Sequence, residues 1–381
     1  MSLLHPYYII AIVIMLLFSY QEVFGQKVNK KVLWFLAVYL IIVAGLRDHV
    51  GPDYGSYLGI YNYSDTKDYL SIFFKAIYVD SLQPVELEWL YVLINKVLLN
   101  VFNAPFYVLT LVIAAITIML KVEYISENTF YPFTFLLFIF IPGFFIGESG
   151  QIRQCLGSFI IYYAIRFIKE RNLLMYLLCI YLGAGIHNVC YMFLPMYWVA
   201  RIPLNKLTML ILIVASIFAS PFEVYRIFGD FLGNIAEDNM IIGGFNGYVD
   251  AYDNVQRLNG GFGIPEAMLM IITLFLFVFD DKMVEKYPYY EYHRVYVVLG
   301  ICLYFIFRNN PIFSSRLAGA FIGFSYIIIP NAMYVVSENT KKLIYTFIIA
   351  LFVFNFVVFS SLKNIIGGRF TIELYKNYLL P

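Results

Sequence analysis

In a chain of 381 residues, 61% are hydrophobic and 13% charged; about a quarter of a soluble domain is charged, so the composition excludes one and implies a polytopic membrane protein. The formal charge of +1 gives no bulk attraction to a polyanion, and no nucleic acid is expected as a partner. Cys155, Cys179, Cys190 and Cys302 all fall in apolar runs without CxxC or Cys/His ligand spacing, so they are expected to pack in the core rather than hold a metal.

Pro6 to Tyr20 is the first apolar span. It has little N-terminal positive charge and no small-residue cleavage site, and is expected to stay in the membrane. Lys27, Lys30 and Lys31 mark a cytoplasmic loop, from which Val32 to Leu46 runs outward. The stretch Gly45 to Tyr57 then brings Arg47, Asp48, His49 and Asp53 together at the end of a charge-free run. Gly51 and Pro52 make a turn that a helix does not continue through, and they put Arg47 and Asp53 on either side, where both can face one small volume. From Pro84, helical spacing places Leu87, Leu90, Tyr91, Ile94, Leu98 and Val101 on one face and Glu88, Asn95 and Lys96 off it. Glu88 and Lys96 are too costly for the middle of a bilayer, so this helix is expected to lie on the outer surface.

Ala104 to Leu120 returns inward to Lys121, Phe130 to Ile146 runs out to Glu148, and Ile152 to Ile168 returns to Lys169 and Arg171. Leu173 to Ile186 and Val189 to Ala200 flank His187 at an outer bend. Leu207 to Ala219 leads to a long polar segment, and Ile264 to Phe279, Val295 to Phe307, Ile312 to Val335 and Leu343 to Ser361 complete the spans. The expectation is an all-α bundle of about twelve helices, each near the ~20 residues of a crossing, forming one integral membrane domain over residues 1–381. External segments are expected near 47–103 and 220–262.

In this layout most lysines lie inside, whereas Arg47, Arg153, Arg226, Arg257, Arg308, Arg316 and Arg369 lie outside. The positive-inside rule does not separate the two residue types, but an anion does: guanidinium is permanently charged and grips phosphate through two parallel hydrogen bonds. An outward cavity lined by Arg47, Arg153, Arg308 and Arg316, with His187 and Asp53 near, suits a phosphate or pyrophosphate attached to a lipid. His187 is read as the proton acceptor and Asp53 as the group that orients Arg47. No Walker loop and no convincing carboxylate pair is present, so no cofactor and no metal is expected; Asp250 and Asp253 read as solvated loop acids.

The run Gly45-Leu-Arg-Asp-x-x-Val-Gly-x-Asp-Tyr-x-x-Tyr57, the Glu-x-x-Tyr-x-x-Ile-Asn from Glu88 to Asn95, Ile152-Arg-Gln154, His187 after a short span, and Arg316 followed by an aromatic span and Pro330 together resemble the EpsG-type branch of the Wzy polysaccharide polymerases. Leu90 stands where that family usually has glycine, and Cys155 and Gly157 replace its small aliphatics. The resemblance implies polymerisation of undecaprenyl-pyrophosphate-linked repeat units, for O-antigen, capsule or exopolysaccharide, on the external face of the bacterial cytoplasmic membrane. It also implies Tyr54, Tyr57, Glu88 and Gln154 as further substrate-binding residues, and a chain-length regulator and a flippase as partners beside membrane lipid. Two other classes stay open on the residues: a lipid-linked glycan flippase or transporter, and a membrane ligase or O-acyltransferase.

Overall fold

The apolar runs fold as helices in the expected order, and the departures occur where a proline or a buried charge intervenes. The computed structural model describes residues 3–25, 28–51, 53–73, 76–80, 83–222, 263–287, 289–310, 313–362 and 375–379. Arg226, Arg257, Arg369, Asp250, Asp253 and almost all of segment 220–262 lie outside them. The chain forms two compact units, Met1–Tyr197 with Val336–Pro381, and Trp198–Val335.

In the first unit, α1 (Pro6–Phe24) starts where Pro6 sits in the first turn and His5 caps the Tyr7 amide. Helix α2 (Lys30–Gly45) is capped by Asn29, which accepts from the Lys31 amide at 2.9 Å. It packs along α5 (Phe106–Asn128), where Thr110 donates its hydroxyl to the Gly45 carbonyl at 2.5 Å. Helix α5 in turn packs on α7 (Ile152–Lys169), and α7 on α8 (Leu173–Ala184). Beside α1 lies α6 (Pro132–Phe138), whose exposed N-terminal amides are satisfied by a carboxylate from α1: Glu22 accepts from the Phe133 and Thr134 amides and the Thr134 hydroxyl.

Four helical runs are long and apolar enough to cross a membrane among the described residues: Pro6–Phe24, Phe106–Asn128, Phe313–Ala332 and Glu338–Ser360. Trp89–Asn100, Leu173–Ala184 and Lys206–Phe222 are apolar but shorter. The run expected as a span from Phe130 to Ile146 is instead α6 followed by a π-helical stretch, Phe140–Glu148, because Pro142 has no amide to give the carbonyl one turn back. The run Ile312 to Val335 is likewise broken, into Phe313–Leu317, Ala318–Ile322 and Ser325–Ala332, the last holding Pro330. Val189 to Ala200 is a 3-10 turn, Asn188–Phe193, and one α-turn, Met196–Val199.

The helix expected from Pro84 starts at Trp89 (α4, Trp89–Asn100), and Pro84 lies in a two-stranded antiparallel hairpin, Ala76–Asp80 with Gln83–Leu87, which departs from an all-α chain. Its buried face takes residues from both expected faces. Tyr91, Val92, Asn95 and Lys96 point inward while Val101, just past its end, is exposed. Lys96 reaches the Asp65 carbonyl at 3.3 Å and so ties α4 to the turn after α3 (Tyr54–Tyr63).

A second correction concerns Lys121. It does not end a span; it sits inside α5, fully buried, in an ion pair with the equally buried Glu148 and over the Phe159 ring. In the second unit, Asp280 on helix Ile264–Lys286 accepts twice from Arg294 Nη1, at 2.7 and 2.9 Å, and once from the Tyr290 hydroxyl, all three side chains on this helix and Tyr290–Ile306 being buried.

The turn between α2 and α3 is held by the far end of the chain. Asp48 donates its amide to the Lys376 carbonyl and Tyr378 to that of Leu46, both at 2.9 Å, and the Tyr375 hydroxyl donates to the Val43 carbonyl at 2.5 Å. Gly51 in this turn has φ +111°, and a Cβ there would lie 2.6 Å from the Ser149 carbonyl oxygen. Gly51→Ala is therefore expected to lose stability by at least the ~1–2 kcal/mol of a left-handed residue, read as a lower melting temperature of the purified protein, and an unchanged melt would count against this account of the turn.

Candidate functional site

Arg47, the charge that first marks the turn, is buried against backbone carbonyls. Only 1% exposed, it donates Nε to the Val50 carbonyl at 3.1 Å and Nη1 to the carbonyls of Ala44 at 2.5 Å and Glu148 at 3.5 Å. These bonds stitch the end of α2 to the π-helical stretch. The guanidinium makes no ion pair with Asp53, which corrects the expected partnership. The two aspartates divide differently: Asp48 is bonded to the exposed His49, while Asp53 precedes α3, half-buried, with no side-chain cap bond and no ion pair among the described residues.

The candidate site gathers one helix further on, around Arg153. The turn Gly147–Gln151 closes back on the π-helical stretch through the Ser149 and Gln151 amides, and α7 begins at Ile152, so Arg153 stands in its first turn. Its Nη1 donates to Glu88 Oε2 at 2.6 Å. The guanidinium carbon lies 5.4 Å from the Tyr91 ring centre and 5.8 Å from that of Tyr57, and the two rings meet edge to face at 6.2 Å. Burial raises the Tyr57 hydroxyl above its ordinary pKa against the opposing pull of Arg153, and Asp53 adds to the rise, which places that carboxylate in the same neighbourhood.

Glu88 carries the site across to the next loop. It immediately precedes α4, is buried, and its second oxygen accepts the Asn188 amide at 3.2 Å. The start of α4 can approach so closely because position 185 is glycine: a Cβ there would lie 2.7 Å from Leu90 Cβ and from the Trp89 ring, and the Gly185 carbonyl accepts from the Tyr91 amide at 2.9 Å. The small residue expected at position 90 thus stands on the facing strand of chain instead. Next to Asn188, half-buried His187 caps the 3-10 turn, its Nδ1 accepting from the Val189 amide at 3.3 Å. Its Cβ lies 3.3 Å from where a side chain on Gly157 would begin, one helical turn below Arg153.

An imidazole whose Nδ1 accepts a hydrogen bond keeps its proton on Nε2 when neutral, so His187 presents a donor. Arg153, Glu88, Tyr57 and His187 are brought together, with Asp53 one helical turn before Tyr57, whose amide donates to the Asp53 carbonyl at 3.0 Å. Tyr54 lies apart: its hydroxyl pairs with that of Tyr378 at 3.1 Å and its ring packs on Phe106. Gln154 follows Arg153 on α7, half-buried. Arg308 and Arg316 belong to the second unit, where Arg308 Nε donates to Glu266 Oε1 at 2.8 Å, an oxygen shared with the Tyr304 hydroxyl, and half-buried Arg316 lies in the stretch Phe313–Leu317. Sequence reasoning missed Tyr91 and the Asn188 amide; the first was visible in the Glu-x-x-Tyr spacing, whereas a backbone donor leaves no mark on a sequence. Among the described residues no group of three His, Cys, Asp or Glu side chains is placed to hold a metal.

Neither a curated protein nor a solved structure matches this chain. The model of the EpsG family matches residues 30–377, a range that takes in the Arg47 turn, Glu88, Arg153, His187 and Tyr375 to Asn377 of the segment that braces the turn. The family is associated with glycosyltransferase-like polymerisation, and the apolar helices place the chain in a membrane. Since the match covers nearly all of it, the chain belongs to the EpsG family.

Proposed function

We propose that the protein polymerises undecaprenyl-pyrophosphate-linked oligosaccharide repeat units on the external face of the bacterial cytoplasmic membrane. The observation that carries this reading is the Arg153 guanidinium, oriented by Glu88 over two tyrosine rings at the start of an apolar helix. There a lipid pyrophosphate meets a permanent positive charge while its tail lies in the bilayer. In the reaction, the acceptor hydroxyl oxygen bonds to the anomeric carbon of the growing glycan and the bond from that carbon to the pyrophosphate oxygen breaks. Arg153 takes up the charge that develops on the departing pyrophosphate, His187 donates from Nε2 to the same group, and the hydroxyl proton passes to Asp53, the carboxylate with no ion pair among the described residues. Glu88 holds Arg153 in place.

Purified protein supplied with lipid-linked repeat units tests these roles by ladder length. Asp53→Asn should slow chain extension about 10²–10⁴-fold, the range for a lost general base. His187→Gln, whose amide still donates, should extend chains clearly faster than His187→Ala. Equal loss in the two histidine variants would return His187 to the role of base, and full ladders from Asp53→Asn would remove the aspartate from the mechanism.

A further inference from the structure

Helix α4 carries a polar group that the roles above do not use. Tyr91 and Asn95 stand one turn apart on its buried face, both with no exposed surface. The Tyr91 hydroxyl, both polar atoms of the Asn95 amide and Arg153 Nε are all buried without a hydrogen-bond partner among the described residues. Four residues apart, the two side chains share one face of the helix, yet neither makes a hydrogen bond with the other. Tyr91 belongs to a buried apolar cluster with Tyr57, Ile60, Val92, Ile113, Ile152 and Leu156, and in such a setting an unpaired amide costs about 1–3 kcal/mol. Four unpaired polar atoms in one place, beside the guanidinium that meets the pyrophosphate, call for a ligand.

The chemistry of the four atoms selects its class. Arg153 Nε and Asn95 Nδ2 only donate, Asn95 Oδ1 only accepts, and the Tyr91 hydroxyl does either. A phosphate oxygen offers acceptors alone and would leave Asn95 Oδ1 unmatched. Neighbouring hydroxyls on a sugar ring give and accept at the spacing of a carboxamide, and match the whole set. Resting on the polymerase reading, we propose that Tyr91, Asn95 and the Nε edge of Arg153 form a sugar subsite, which takes adjacent hydroxyls of the glycan residue next to the pyrophosphate. Arg153 lies over the Tyr91 ring and covers this group.

The test compares binding of two probes to the purified full-length protein: bare undecaprenyl pyrophosphate, and undecaprenyl pyrophosphate carrying the repeat unit of the producing cell. Wild-type protein is expected to prefer the glycan-bearing probe. Asn95→Leu and Tyr91→Phe should each weaken binding of that probe about tenfold while leaving bare undecaprenyl pyrophosphate unchanged, the loss of one or two hydrogen bonds. Asn95→Leu should also melt no lower than wild type, because it exchanges unpaired polar atoms for apolar ones of similar size. Retention of the glycan preference by both variants overturns the subsite and reduces the group to one that holds buried water only; should Asn95→Leu fail to fold, Tyr91→Phe decides alone. Arg153→Ala separates this result from the polymerase reading: it should weaken both probes, and normal binding of bare undecaprenyl pyrophosphate by that variant would strike at the anion site while leaving the comparison between probes intact.

Discussion

Arg153→Lys is expected to accumulate to the wild-type level and to extend no chains. Lysine keeps the charge and still reaches Glu88, so the helix start keeps its ion pair and the fold is spared. What it loses is the planar fork: one edge of the guanidinium is taken by Glu88 Oε2, and only a fork has a second edge to offer a phosphate at the same time. A compact ammonium must choose between the two anions. It also loses the flat face that lies over Tyr57 and Tyr91. Loss of one such charge-stabilising donor slows catalysis about 10²–10³-fold, enough to erase a ladder. Arg171→Lys, on an exposed arginine beyond the other end of α7, is the control and should polymerise normally. Full-length polymer from Arg153→Lys at wild-type rates would leave Arg153 as a structural anchor.

The largest effect on stability is expected at Lys121. Lys121→Ala leaves Glu148 buried in the membrane-spanning part of the unit without its counter-charge, and breaking such a pair typically costs about 3–5 kcal/mol. The consequence should reach the site, since the Glu148 carbonyl receives Arg47 and the following turn leads into Arg153. The double variant Lys121→Met with Glu148→Leu should recover most of the loss, because a buried ion pair exchanged for apolar side chains of similar volume is often neutral. Melting of the purified variants in one detergent compares the three. If the double variant melts as low as Lys121→Ala, the ion pair is needed for more than mutual neutralisation.

What could be read from the sequence, and what could not, follows from the solvent. Apolar runs gave the helices and their order, because in a bilayer length and hydropathy dominate. On α4 the polar positions are the illegible ones: Asn95 and Lys96 are buried along with Tyr91, while Leu90, Ile94 and Leu98 pack half-buried against the apolar cluster. Lys121 was placed in a loop because lysine serves as a loop marker, yet a carboxylate partner on another segment lets it stay mid-helix. Glu88 and Arg153 were both singled out, each within its own motif; that they touch is a tertiary fact. Arg47 carried the same charge signal as Arg153, and nothing in the sequence told an arginine that binds its own backbone carbonyls from one held over two rings.

The brace on the Arg47 turn has a bearing on biosynthesis. The amide of Asp48 and the carbonyls of Leu46 and Val43 find their partners at residues 375–378, near the opposite end of the chain. At about 5–20 residues per second of synthesis, the turn waits on the order of tens of seconds for the segment that secures it. Throughout that interval α3, and with it Tyr57 and Asp53, is joined to a turn not yet fastened, while Arg153 and Glu88 have already been made. The turn that leads into Tyr57 and Asp53 is thus fastened only after residues 375–378 have been made, long after Arg153 and Glu88.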